Sequence, residues 1–112
     1  MKYGSEIFKA LSDETRLRIF LLLSKGELCV CELVNILKME QSRISHSLRI
    51  LKEAGLIKKR REGTWIIYSI DQIIKNNQII KGLIYEIKLS DTDFKNYDKY
   101  KKEGIRKTCK LK

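Results

Sequence analysis

Cys29-Val30-Cys31-Glu32-Leu33-Val34-Asn35-Ile36-Leu37, then Lys38-Met39-Glu40, then Gln41-Ser42-Arg43-Ile44-Ser45-His46-Ser47-Leu48-Arg49-Ile50-Leu51 read as helix, turn and helix. Cys31, Leu33, Val34, Ile36 and Leu37 give the first run an apolar face to bury, and Gly55 supplies a stop after the second run. The spacing is that of a helix-turn-helix, with the first helix predicted to cross a DNA backbone and the second to enter the major groove. In the second helix Ile44, Leu48 and Leu51 stand at i, i+4, i+7 and must face a core. That turns Gln41, Ser42, Arg43, Ser45, His46 and Arg49 outward, a set of hydrogen-bonding side chains suited to base edges and phosphates. His46 suits a phosphate or a neighbouring side chain as well as it suits a base.

Downstream, Ile57-Lys58-Lys59-Arg60-Arg61 and Thr64-Trp65-Ile66-Ile67-Tyr68-Ser69-Ile70 flank Glu62-Gly63, which is a β-hairpin pattern. A basic hairpin directly after a recognition helix is a wing, and Lys58, Lys59, Arg60 and Arg61 are its predicted phosphate contacts. Upstream, Asp13 caps a strongly apolar helix through Leu17-Arg18-Ile19-Phe20-Leu21-Leu22-Leu23, ended by Lys25 and a left-handed Gly26. Ile7, Phe8 and Leu11 form an apolar stripe on a first short helix. Asp71 opens a last long helix carrying Ile73, Ile74, Ile80, Leu83, Ile84 and Ile87, which Asn76-Asn77 interrupts only weakly. Its stripe and that of the first helix predict a homodimer through Ile7, Phe8, Leu11, Ile80, Leu83, Ile84 and Ile87, setting two recognition helices at half-site spacing. The fold class is mainly α with a β-hairpin, a winged helix-turn-helix. Residues 1–89 form the DNA-binding and dimerisation domain, and residues 90–112 a basic, flexible or loosely helical tail ending near Cys109.

The 112 residues carry 24 Lys and Arg against 14 Asp and Glu, a formal charge of +10, which favours a polyanionic partner. Between Gln41 and Ile70 seven basic residues stand against two glutamates, so the excess falls on the predicted DNA face. No apolar run approaches the roughly twenty residues of a spanning helix, and Met1-Lys2-Tyr3-Gly4-Ser5-Glu6 has no secretory pattern, which predicts a cytoplasmic protein without a membrane partner. There is no carboxylate pair, no nucleophile with a base and no phosphate-cradling glycine loop, so an enzyme is not expected. Three cysteines in a reducing compartment point to metal ligands or redox sensors rather than a disulfide framework. In a regular helix positions i and i+2 point about 200° apart. Gathering Cys29 and Cys31 onto one ion therefore unwinds the first turn of the helix that supports the recognition helix, a means of releasing DNA. Cys109, some twenty residues beyond Leu89, can reach them at about 3.3 Å per extended residue. Three thiolates and no spare nitrogen suit As(III) or Sb(III), which bind in a three-coordinate pyramid, better than four-coordinate zinc.

Glu27-Leu28-Cys29-Val30-Cys31-Glu32-Leu33, with Ala10-Leu11-Ser12-Asp13-Glu14-Thr15-Arg16-Leu17-Arg18-Ile19, the Gln41-Ser42 to Ser45-His46 stretch and Arg61-Glu62-Gly63-Thr64-Trp65, resembles the ArsR/SmtB family of metal-sensing repressors over about residues 5–88. The resemblance implies a homodimeric winged helix-turn-helix that sits on operator DNA when empty and leaves it when an ion binds, with Cys29 and Cys31 as ligands. Arsenic sensors of the family often have a third cysteine where this chain has Val34, which leaves Cys109 as the candidate replacement. The family's zinc site on the last helix finds no histidine after Asp71, so a thiolate sensor is expected. The expectation is a repressor released by arsenite or antimonite. Three alternatives stay open: a Cd, Pb or Zn sensor of the same fold, a thiol-oxidation sensor pairing Cys29 or Cys31 with Cys109, and a constitutive DNA-binding protein with inert cysteines.

Overall fold

The computed structural model describes residues 4–87 and 91–104. In chain order the elements are α1 (Gly4–Leu11), α2 (Glu14–Lys25), β1 (Leu28–Cys29), α3 (Val30–Leu37), α4 (Gln41–Glu53), β2 (Ile57–Glu62), β3 (Trp65–Ile70), α5 (Gln72–Lys75), α6 (Gln78–Glu86) and α7 (Asp91–Glu103). Ile19, Phe20 and Leu22 of α2 are fully enclosed, together with Leu33 of α3 and Ile44, Leu48 and Leu51 of α4, each burial contributing about 1.5–3 kcal/mol. Asp13 caps α2 as expected, its carboxylate accepting the Arg16 N–H at 3.0 Å.

Gly26 is not a left-handed cap. Its φ of 168° is extended backbone, and what requires glycine there is space, since a Cβ would lie 2.8 Å from the Tyr97 hydroxyl. Gly55, at φ 81°, is the left-handed stop after α4. The wing closes through Gly63 at φ 63°, with Glu62 opposite Trp65 in an antiparallel ladder running back to Ile57 opposite Ile70. The sequence reading misses a third strand. β1 pairs antiparallel with β3, Leu28 opposite Tyr68 and Cys29 opposite Ile67, in a sheet ordered β1-β3-β2. Two residues are too short a run to show a period-2 pattern.

The last long helix is two. The Asn77 side chain accepts from the backbone N–H groups of Ile79 and Ile80 and starts α6 anew, as Asp71 does for α5 through Ile73 and Ile74. An Asn side chain offers the backbone a cap in place of a continued helix, and here it wins. The expected dimer stripe is also divided. Ile7, Leu11 and Ile80 lie in the protomer's own core, where α1 packs on α2 and α4, and so are not available to a second copy. Phe8 is 49% exposed, Leu83, Ile84 and Ile87 are half-buried, and Ile79 and Tyr85, which the reading did not select, are 58% and 77% exposed.

Residues 91–103, expected as a loose tail, are a helix seated on α3. Asp93, fully enclosed, accepts from Arg18 Nε and Nη2 at 2.9 Å each, a hydrogen bond that pushes the Arg18 pKa further up. Asn96 donates to the Ile36 carbonyl at 2.9 Å, satisfying a C-terminal acceptor of α3. Tyr100 is buried beside Lys38, whose ammonium bonds its hydroxyl and lies 4.5 Å from its ring centroid. Asp93→Ala is expected to release α7 at a cost of about 2–3 kcal/mol, below the range for a fully buried pair because Arg18 keeps some water. Native-state hydrogen exchange should show faster amides over 94–103, with those of α2 and α4 unchanged.

Candidate nucleic-acid interface and thiol site

The recognition helix α4 presents the expected outward face. Ser42, Arg43, Ser45, His46 and Arg49 are exposed and Gln41 half-buried, while Ser47 is enclosed with the apolar residues. Three of these side chains, Arg43, His46 and Arg49, have intramolecular partners. Arg43 donates to the Thr15 hydroxyl at 3.0 Å, fixing α4 against the start of α2. Arg49 donates to His46 Nδ1 at 2.9 Å and lies 3.6 Å from Glu53, so these two side chains order each other on the surface.

On the wing, strand alternation divides the basic run between the two faces of the sheet. Lys59 and Arg61 lie opposite Tyr68 and Ile66 on one face; Lys58 and Arg60 lie opposite Ser69 and Ile67 on the other. Arg60 is held within the chain. It donates to Glu27 at 3.0 and 3.3 Å and to Glu62 at 2.7 Å, and these carboxylates, Glu27 first, push its pKa well above the ordinary value.

The Cys-x-Cys pair lies where β1 becomes α3. Cys29 is extended at φ −94°, ψ 168° and caps the helix, whereas Cys31 is in its first turn. The backbone has therefore already left the helix at Cys29, and the opposition of i and i+2 expected inside a regular helix does not apply. Cys29 and Cys31 are 2% and 3% exposed and share a small cluster with Ile67 and half-buried Trp65, apart from the main core. Asn35 Nδ2 donates to Cys31 Sγ at 3.6 Å and to the Cys31 carbonyl at 2.8 Å. The buried Glu32 accepts the Cys29 N–H at 3.0 Å through one oxygen and faces Lys101 Nζ of α7 at 3.7 Å through the other. Neither role was read from the sequence, although Glu at the third helical position is the recognisable half of a capping box.

Cys31 is disulfide-bonded in this structure whereas Cys29 is not, so Cys31 offers a soft thiolate donor beside Cys29 only once reduced. Among the described residues no group of three or more His, Cys, Asp or Glu could hold a metal, so any third ligand lies elsewhere. Cys109 is outside the described residues. No described helix is long and apolar enough to cross a membrane.

The sequence model of the bacterial regulatory proteins of the arsR family matches residues 13–59, the span from the cap of α2 into the wing. An HTH-type transcriptional regulator of Methanocaldococcus jannaschii is 51% identical over 80 residues, covering 70% of this chain and 88% of that protein. This chain belongs to the arsR family. A cadmium resistance regulatory protein CadC homolog of Staphylococcus aureus is 41% identical over 83 residues, covering 73% and 69%. The arsenical resistance operon repressor of Escherichia coli is 50% identical over 66 residues, covering 58% of this chain and 56% of that one. Among solved structures, a homodimeric winged helix-turn-helix DNA-binding domain of Mycobacterium bovis superposes with a TM-score of 0.60 at 32% identity, covering 72% and 70%. As a member of the arsR family the chain is a DNA-binding transcriptional regulator, not an enzyme.

A division between phosphate-holding and base-reading groups is testable in DNA titrations. Lys59→Ala and Arg61→Ala are expected to weaken operator and unrelated DNA by the same factor, each lowering the slope of log K against log salt by about 0.9. Ser42→Ala and Ser45→Ala should instead narrow the gap between the two DNAs, by about 1 kcal/mol each.

Proposed function

We propose that this arsR-family regulator is a homodimeric repressor released from its operator when Cys29, Cys31 and Cys109 gather a thiophilic ion, As(III) or Sb(III) in the first place. The observation that carries the reading is the position of α7. Lys101 reaches the carboxylate that holds the Cys29 N–H, so the C-terminal helix ends beside the thiol pair. Five residues lie between Glu103 and Cys109, about 20 Å of extended chain, which is ample reach within one protomer. Three thiolates supply the pyramidal, all-sulfur environment that trivalent arsenic and antimony take, and the soft donors also admit cadmium or lead. The relatives named for arsenical and cadmium resistance support that ion class.

Within the chain, Glu32 holds the strand-to-helix corner on which Cys29 sits. Drawing Cys29 and Cys31 together reshapes that corner, and α3 supports α4 directly. Ser42, Ser45, His46 and Arg49 read or hold the major groove, and Lys59 and Arg61 hold the backbone. Phe8 with Ile79, Leu83, Ile84, Tyr85 and Ile87 forms the apolar surface that a second copy covers.

Fluorescence anisotropy on operator DNA tests the sensing reading. Arsenite is expected to release the reduced protein, and Cys29→Ser, Cys31→Ser and Cys109→Ser should each raise the arsenite needed by at least tenfold, with peroxide as the arm for thiol oxidation. Retention of full arsenite response in Cys109→Ser removes the tail thiol from the site. Dimerisation is tested separately: Tyr85→Glu with Ile79→Glu should yield monomers in sedimentation and reduce operator affinity at least a hundredfold, because one half-site is lost.

A further inference from the structure

We propose that α7 is a positioning element for the recognition helix: through Tyr100 and Asn96 it holds the turn between α3 and α4 in the shape that operator binding needs. No thiol or ion takes part. Lys38, the first residue of that turn, stands at φ 58°, ψ 44°, and is the one non-glycine residue with positive φ among the described residues. There a Cβ crowds the following carbonyl, so the conformation persists only where the surroundings impose it. Part of that constraint is local, since the Lys38 N–H donates to the Val34 carbonyl at 2.9 Å. The rest comes from α7. The Lys38 ammonium donates to the Tyr100 hydroxyl and lies 4.5 Å from the ring centroid, and Tyr100 is itself buried. One helical turn before Tyr100, Asn96 donates at 2.9 Å to the carbonyl of Ile36, two residues before Lys38. One residue after Tyr100, Lys101 lies 3.7 Å from Glu32, at the opposite end of α3.

The recognition helix has little of its own to fix where it starts. Glu40, at its N-cap, makes no side-chain hydrogen bond to the first turn, so the entry of α4 follows from the turn that delivers it. Half-buried Met39 seats the middle of the turn on the core, and Arg43 ties α4 to Thr15 of α2 at 3.0 Å. Lys38 is then the joint that sets α4 against α3. At its other end α7 is anchored on α2, where Asp93 accepts twice from Arg18 at 2.9 Å and the Lys25 ammonium lies 4.3 Å from the Phe94 ring centroid. A helix pinned on α2 at its start and on the turn at its end spans the elements whose relative placement decides how Ser42 and Ser45 meet base edges. Base-edge hydrogen bonds tolerate little displacement, whereas attraction to phosphate tolerates more. Loosening α7 therefore lowers affinity for the operator more than affinity for unrelated DNA.

The test is fluorescence anisotropy of the reduced full chain, without metal ion, on operator DNA and on an unrelated duplex of equal length. Tyr100→Phe keeps the buried ring and removes only the hydroxyl. Asn96→Ala removes the bond to Ile36, and Asp93→Ala unpins α7 at its far end without touching the turn. Each is expected to weaken operator binding about three- to tenfold, the factor that one hydrogen bond contributes to the population of the poised turn, with unrelated DNA and the salt slope unchanged. Glycine adopts a positive φ without the Cβ penalty, so Lys38→Gly should retain more operator affinity than Lys38→Ala, and Tyr100→Phe should add nothing in the Lys38→Gly background. Operator affinity unaltered in Tyr100→Phe, Asn96→Ala and Asp93→Ala alike overturns the proposal and leaves α7 as packing alone. A phosphate contact by Lys38 overturns it too: Lys38→Gly and Lys38→Ala would then weaken both DNAs by the same factor and lower the salt slope by about 0.9.

Discussion

The pairing of Leu28–Cys29 with Ile67–Tyr68 is the constraint on which the arrangement of this regulator depends. Two rungs of antiparallel ladder are a small interaction, yet they join the start of the helix-turn-helix to the wing. They hold Cys29 in extended conformation, so the thiol pair straddles a strand and a helix instead of lying on one helix. They also bring Glu27 within reach of Arg60 and pack Ile67 and Trp65 in one cluster with Cys29 and Cys31.

Glu32 is the second joint. A buried carboxylate at the N-terminus of α3 is favoured there by the helix dipole and by the Cys29 N–H it accepts, and Lys101 of α7 balances its charge. Arg18–Asp93 and Asn96–Ile36 dock the rest of α7. Residues 91–103 are thereby part of the protomer's structure, seated on the helix that carries Cys31.

Much of this protein was legible residue by residue. The i, i+4, i+7 pattern of Ile44, Leu48 and Leu51 identified the inward face of α4, and Ser42, Ser45 and His46 are exposed accordingly. The Gly63 turn between β-branched runs identified the wing, and Asp13 marked the start of α2. The failures share a cause. Ile7, Leu11 and Ile80 were assigned to a partner because an apolar stripe does not say whether its cover comes from the same chain or another. Arg60 has Glu27 and Glu62 as partners inside the chain, which a basic run by itself does not reveal. Asn77 split a helix whose apolar period continues across it, since capping is decided by one hydrogen-bonding side chain and not by periodicity.

By itself the sequence determined the winged helix-turn-helix and its recognition face, because helical and strand periods, caps and glycine turns are local and can be read within a few residues. Tertiary structure alone decided what surrounds the thiols and where the C-terminal helix goes. Those outcomes rest on contacts between residues far apart in the chain, such as Arg18 with Asp93 across 75 positions and Asn96 with Ile36 across 60. Such pairings are selected by the shape and charge of surfaces that exist only once the chain has folded, so no local pattern announces them.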